Sequence, residues 1–341
     1  MRVLVTGATG FVGSHATEAM VDAGHDVRLA VRSVERAEQV LAARGMSADD
    51  VDLVIADMVD PESLARALEG REACVHAAAA IGVTSAEPDR VITGNVDGAR
   101  NVIGQAVQMG CDPVVHLSTV GVFIPSPDPV ITPDSPLASP RNPYGRSKIA
   151  AEEYVRSLQA EGAPVTIIYP GGVYGPDQPS LDAGMEGIVG ALDKAFPMPP
   201  SGGVGVLDVR DLAQVITRSL EPGRGPRRFM AGGRFHPWAS FAEICEEVTG
   251  VRPRRLNVRP RMMLALGSAI DLAKRVRPFE YPLTRDAAEF MVKAVPSEDG
   301  PTLDELGVTY RPTRQTIADA IGWLASEGHL SPRAAGRLAP T

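Results

Sequence analysis

The chain has 341 residues, 44% of them hydrophobic and 22% charged, with a net charge of −8. That length holds one large domain or two modest ones with ample core, and the acidic balance argues against nucleic acid or an anionic membrane as a partner. Cys74, Cys111 and Cys245 stand too far apart for metal-ligand spacing, so no metal is expected and the thiols read as core.

The first expected strand, 3–5, runs directly into Gly7, Gly10 and Gly13, and a helical pattern covers 11–23. A strand, a glycine turn and a helix N-terminus together make a site for a dinucleotide pyrophosphate. Gly7 permits the turn, Gly10 lets backbone approach phosphate, and Gly13 lets the helix pack close on the strand. The spacing G-x-x-G-x-x-G is one residue longer than the usual dinucleotide fingerprint. No leader pattern precedes this strand, and the cytoplasm is the expected compartment.

Further strands are expected at 26–31, 51–56, 73–77, 113–118 and 165–169, with helices at 61–68, 90–109 and 144–161. Such alternation predicts an α/β fold, a Rossmann-type doubly wound parallel sheet with helices on both faces. Residues 170–205 are rich in Pro and Gly and read as loop-built structure. A helix follows from Val209, a strand at 228–231, and a patchy helical segment from Phe235 ending in a helix at 316–326. This divides the chain into a dinucleotide-binding domain (1–170 and 206–232) and a smaller, mostly helical substrate-binding region (171–205 and 233–330). Residues 331–341 read as a disordered tail.

Two clusters carry chemistry. In Tyr144-Gly-Arg-Ser-Lys148 the four-residue spacing puts phenol and ammonium on one helical face. A nearby cation favours the phenolate, which makes the tyrosine a usable proton donor or acceptor. The lysine can also bond a cofactor ribose; the plainer alternative is a surface pair. Ser118 and Thr119 close the 113–118 strand at its carboxyl end, the edge where open α/β sheets collect ligands. Their hydroxyls suit a carbonyl or alcohol oxygen, or simply cap a loop. His76 and His116 read as packed strand residues.

Together these pieces resemble the extended short-chain dehydrogenase/reductase superfamily, in the NAD-dependent epimerase/dehydratase family. The motifs occur in order: Thr6-Gly-Ala-Thr-Gly-Phe-Val-Gly13, Asp57-Met58, Val75-His-Ala-Ala-Ala79, Asn95-Val-Asp-Gly98, His116-Leu-Ser-Thr119, the Tyr144–Lys148 run, Pro170-Gly-Gly-Val-Tyr-Gly-Pro176 and Asp208-Val-Arg-Asp-Leu-Ala213. The resemblance implies Thr119 as the catalytic hydroxyl, Tyr144 as acid/base and Lys148 as ribose ligand. It implies cofactor contacts from Gly7, Thr9, Gly10, Phe11 and Val12, and adenine contacts from Asp57 and Met58. Ala77, Ala78 and Ala79 would line pyrophosphate and ribose, Asn95 would order a strand–helix junction, and Ser118, Pro170, Gly171 and Val173 complete the cofactor set. It also implies a homodimer through the helices at 90–109 and 144–161.

The end of the second strand reads Leu29-Ala-Val-Arg-Ser33, without the acid that bonds the adenine ribose hydroxyls in NAD enzymes. Arg32, helped by Ser33 and Arg36, suits a 2′-phosphate, so NADP is expected, with NAD as the alternative.

Nucleotide-sugar members of the family carry an Asn where this chain has Gly172 and an Arg where it has Val204. Two buried phosphate charges without partners would cost several kcal/mol, and Arg210 lies in a helix-entry run. The expected substrate is therefore an apolar or weakly polar small molecule, and the resemblance is closest to the dihydroflavonol-reductase-like and 3β-hydroxysteroid-dehydrogenase-like branch. A nucleotide-sugar epimerase or dehydratase is the alternative, and a non-catalytic dinucleotide sensor a third. Met262, Met263, Leu264 and Leu266 read as core, as a pocket wall or as a face resting on a membrane surface; no stretch is long enough to span one.

Overall fold

The computed structural model describes residues 1–78, 96–140, 143–276 and 284–340, except the side chains of 143, 144, 275 and 276. The apolar runs form β1 (Arg2–Thr6), β2 (Asp26–Val31), β3 (Asp52–Ile55), β4 (Ala73–His76), β5 (Val114–Leu117) and β6 (Val165–Pro170). Between them lie α1 (Phe11–Asp22), α2 (Val34–Ala43), α3 (Pro61–Leu68), α4 (Gln105–Gln108) and α5 (Pro143–Ala160). The second half adds β7 (Gly172–Tyr174), α6 (Ala183–Asp193), β8 (Phe196–Met198), β9 (Gly203–Asp208), α7 (Val209–Arg218), β10 (Arg227–Ala231), β11 (Arg234–Pro237) and α8 (Trp238–Thr249). It ends with β12 (Arg255–Asn257), α9 (Pro260–Val276), α10 (Arg285–Lys293), α11 (Gly300–Leu306), α12 (Thr313–Ser326) and α13 (Pro332–Ala335).

Seven strands form one parallel sheet in the order β10-β6-β5-β4-β1-β2-β3. Chain order reverses between β1 and β4, which opens a crevice beyond their carboxyl ends. Alternate strand residues feed opposite cores. Val3 and Val5 pack with Ala16 and Met20 of α1 and Leu212 and Ile216 of α7. Leu4 packs with Leu64 and Leu68 of α3 and Val155 of α5. A doubly wound sheet is the result, as the alternation of strand and helix predicts.

Three readings need correction. Residues 170–205 are not loop-built: they hold β7, α6, β8 and the start of β9, and the short strands join β11 and β12 in two small sheets. Three-residue strands and glycines give no period to detect. The segment 331–341 is not a disordered tail through residue 340. Ser331 caps α13 by accepting from Ala334 N, and Leu330, Ala334 and Ala335 are buried against α8 and α12. Arg337 Nε donates to Val248 O at 3.0 Å. Lastly, α2 went unread; Ser33 starts it as N-cap. Of the helix expected at 90–109, residues 90–95 lie outside the described residues. The rest is helical with a π-helical stretch at Arg100–Gly104, where a Cβ on Gly104 would meet the Tyr154 hydroxyl at 2.6 Å.

Candidate active site

The glycine turn is built by close approach. Gly7 has φ +77°, and a Cβ there would lie 2.5 Å from Ala78 N; a Cβ on Gly13 would lie 2.1 Å from Gly7 O. Neither contact is survivable, so helix, turn and the end of β4 meet only through glycine. Gly10 caps α1 with extended backbone, offers no side-chain bond to the helix amides, and stands exposed. The first turn of this twelve-residue helix holds no acid. Its free amides and positive dipole end therefore suit a pyrophosphate.

Around it, Thr9, Phe11, Val12, Ala77, Ala78, Asp57 and Met58 are half-buried. Asp57 Oδ1 accepts from Val59 N at 3.1 Å, and Asn101 Nδ2 donates to Met58 O at 3.0 Å. Arg32 is exposed just past β2. Ser33 Oγ accepts from Arg36 N, while the Arg36 guanidinium donates to Pro179 O at 3.0 Å. Among the described residues, Arg32 is thus the arginine of the pair without a backbone carbonyl partner. Ala79, Asn95 and the side chain of Tyr144 lie outside the described residues.

Helix α5 carries Tyr144 and Lys148 one turn apart. Burial lowers the Lys148 ammonium to about 8, with Glu152 opposing the shift. Thr119 begins a 3₁₀ turn, Val120–Phe123, its Oγ1 accepting from Gly121 N at 3.1 Å, which leaves its O–H free to donate. Ser118 Oγ donates to Glu152 Oε2 at 2.7 Å. Glu152 is fully buried and also accepts from Tyr169 Oη at 2.5 Å and Arg156 Nε at 2.7 Å. The sequence reading missed Glu152, although its place four residues after Lys148 was a usable signal. His76 and His116 are packed strand residues, stacked 5.6 Å apart, with Thr6 Oγ1 bonded to His76 Nδ1 at 2.8 Å. Burial, then the Lys148 charge, lowers His116 to about 3.

Beside Thr119 the backbone closes in. Pro170 is buried, and Gly171, Gly172 and Val173 are half-buried. A Cβ on Gly171 would lie 2.0 Å from Gly232 O, and one on Gly172 would lie 2.7 Å from Gly205 O and 3.0 Å from the Tyr174 ring. These glycines border a small cavity walled by Val120, Ile124, Phe235, Phe290 and Val295. Asp299 fixes one wall, accepting from Gly232 N, Gly233 N, Ser297 Oγ and Tyr310 Oη, its carboxyl raised by burial. Sequence offered no sign of this residue. Val204 is buried in β9. Arg210 is committed elsewhere, donating to both oxygens of Asp208 (2.8 and 2.7 Å) and to Asp319 at 2.6 Å. A larger cavity of about 400 Å³, edged by Asp134, Arg156, Gln159, Arg227 and Arg228, opens where β10 begins, at the opposite end of the sheet from Thr119. Among the described residues no acidic, histidine and cysteine cluster suits a metal.

This fold and crevice belong to nicotinamide-dependent enzymes. A model of the NAD dependent epimerase/dehydratase family matches residues 3–232, and the chain belongs to that family. It is an extended short-chain dehydrogenase/reductase, an NAD(P)-dependent enzyme acting on hydroxyl and carbonyl groups. Sterol demethylase protein B of Methylococcus capsulatus is 28% identical over 335 residues, 96% of this chain and 99% of that protein. UDP-glucose 4-epimerase of Mycolicibacterium smegmatis is 32% identical over 247 residues, 68% of this chain and 77% of that protein. A crystal structure of UDP-glucose 4-epimerase from Stenotrophomonas maltophila, with bound NAD and formylated UDP-arabinopyranose, superposes with TM-score 0.77 at 19% identity, covering 96% and 99% of the two chains.

Proposed function

We propose that the protein is an NADP-dependent oxidoreductase that interconverts a carbonyl and a hydroxyl on an apolar or weakly polar small molecule. The observation that carries this reading is the crevice beside Thr119: glycine backbone and aliphatic or aromatic walls, with Gly172 and Val204 at the two family positions for sugar-nucleotide recognition and Arg210 tied to Asp208. A diphosphate entering it would find no cation to pair with among these residues. The full-length similarity to a protein named for sterol demethylation points the same way.

In this reading the amides of Phe11 and Val12 hold the pyrophosphate, with Thr9 and Gly10 beside them; Gly10 admits it by lacking a side chain, its own amide donating to Gly7 O at 3.0 Å. Arg32 and Ser33 take the 2′-phosphate, and Asp57 and Met58 flank adenine. Ala77, Ala78, Ala79, Ser118, Pro170, Gly171 and Val173 complete the lining. The bound nicotinamide supplies or accepts hydride. Thr119 donates to the substrate oxygen, Tyr144 gives or takes its proton, and Lys148 holds the ribose while favouring the phenolate. Residues 171–205 and 233–330 form the substrate-binding region in this reading. A cytoplasmic homodimer through the helices at 90–109 and 144–161 belongs to the same proposal.

The test is a panel of ketones, aldehydes, steroids and flavanonols with NADPH and NADH, followed by nicotinamide absorbance. Tyr144→Phe should abolish turnover while leaving cofactor affinity nearly unchanged; full activity in that variant would refute the acid/base role. The 32% identity to a UDP-glucose 4-epimerase favours a second reading, an epimerase with tightly held cofactor. UDP-sugars that raise the melting temperature would establish it over the first.

A further inference from the structure

Among the described residues, helix α9 packs on one side only. Met263 and Gly267 are buried, and a Cβ on Gly267 would lie 2.6 Å from Thr284 O, so this face is pressed tightly against the start of α10. The opposite face carries Met262, Ala265, Leu266, Ala269, Leu272 and Ala273, all exposed. Their spacing of three and four residues makes a continuous apolar stripe. Met262, Leu266 and Leu272 are 60%, 50% and 62% exposed, and Leu256 on the adjoining β12 is 43% exposed. Four of the eight large hydrophobic side chains exposed among the described residues therefore sit in this one segment.

Charge is segregated to the same place. Before and at the start of the helix stand Arg252, Arg254, Arg255, Arg259 and Arg261, and at its end Lys274 and Arg275. Asp271 is the single acid between 252 and 276, in a chain whose net charge is −8. Arg255 pairs with Glu246 and Asp271 accepts from Arg285 N. Arg252, Arg254, Arg259 and Arg261 are exposed and have no carboxylate at ion-pair distance among the described residues. The whole-chain charge, which argued against an anionic surface, conceals a basic patch.

We propose that α9 and the basic segment before it dock the protein on an anionic lipid surface. The apolar stripe enters the headgroup–acyl boundary while the arginines meet lipid phosphates. An apolar stripe bordered by cations is the chemistry of an interfacial helix. At seventeen residues α9 lies on the bilayer; no helix of the described residues is long and apolar enough to cross one. The partner helix α10 contributes Phe290, which walls the cavity beside Thr119. Docking thus sets that cavity's wall one helix away from lipid. The proposal deepens the apolar-substrate reading but does not depend on it, because its test reads binding alone.

The test is flotation of the intact protein with phosphatidylglycerol-containing vesicles and with pure phosphatidylcholine vesicles, at low and high salt. The expected result is binding to the anionic vesicles only, weakened by salt. A double variant, Leu266→Glu with Leu272→Glu, should lose about tenfold or more of that binding, and so should Arg259→Glu with Arg261→Glu. Both should keep the wild-type melting temperature and nicotinamide cofactor affinity, since neither pair is buried in the core. Absence of flotation, equal flotation with both lipids, or retention of binding by the glutamate variants overturns the proposal. So does a finding by light scattering that the leucine variant only converts a dimer into a monomer, which would assign the stripe to a second copy.

Discussion

Ser118 Oγ and Glu152 Oε2 are joined by a 2.7 Å hydrogen bond that ties the carboxyl end of β5 to α5, one turn beyond Lys148. Ser118 was read as a cofactor contact, yet its hydroxyl proton is given to Glu152, so toward any ligand the oxygen can only accept. Glu152 in turn raises the lysine against the lowering effect of burial. The two strands of evidence make Glu152 a positioning residue for the proposed proton chemistry.

The pH profile should report this pair. Lys148 loses its proton as pH rises through about 8, so kcat/KM in the carbonyl-reducing direction should fall across that range. Glu152→Gln removes the influence that raises the lysine, and the alkaline limb should move to lower pH. A rate titration of both proteins checks it. An unmoved limb with a uniformly lower rate would mean that Glu152 serves structure alone.

Cofactor choice should follow Arg32. Replacement by Glu sets an anion against the 2′-phosphate, and KM for NADPH should rise about 10–100-fold while NADH is used as well or better. Steady-state kinetics with both cofactors decides it; an equal change for both would assign Arg32 to adenine.

Gly172→Asn restores the residue found in nucleotide-sugar relatives. Its Cβ would meet the backbone oxygen of Gly205 at 2.7 Å, so the variant should lose about 1–3 kcal/mol of stability and gain no stabilisation from UDP-glucose. Calorimetry with and without the nucleotide sugar reads both effects.

Leu330→Ala tests the folded C-terminal segment. Leu330 is 3% exposed beside α12, and its truncation should cost about 2–4 kcal/mol with a melting temperature several degrees lower. A tail without structure would give no change.

Acid should unfold the protein through buried imidazoles. His15 and His116 are both lowered to about 3 from 6.5, chiefly by burial. Between those pH values the unfolded chain binds protons that the folded one refuses, so stability is lost progressively as pH falls below about 6.5. Urea midpoints measured from pH 7 to 4 should decline accordingly, and His116→Asn should flatten the slope.

Sequence and structure agree best where one rule dominates. Strands buried on both faces are near-continuous apolar runs, so β4, β5 and β6 are located almost to the residue, while β2 is located to the residue by the alternation of buried Val27, Leu29 and Val31 with less buried neighbours. The glycine turn was legible because Gly7 and Gly13 face backbone that tolerates no Cβ. What escaped was set by tertiary contact. Glycine-rich β9 owes its place to pairing with β7 and β11, not to any period of its own. Asp299 acts on Gly232 and Gly233 across 67 and 66 positions, and no local pattern marks such a bond. The basic segment before α9 was invisible to a whole-chain charge.

Because Gly171, Gly172, Gly205 and Gly232 are locked against one another, that side of the crevice is a fixed anvil. Natural drift or an engineer can reshape the opposing jaw, Phe290 on α10 and the residues just after it, far more cheaply than the glycines. Differences in substrate range between close relatives of this chain should therefore concentrate around α10.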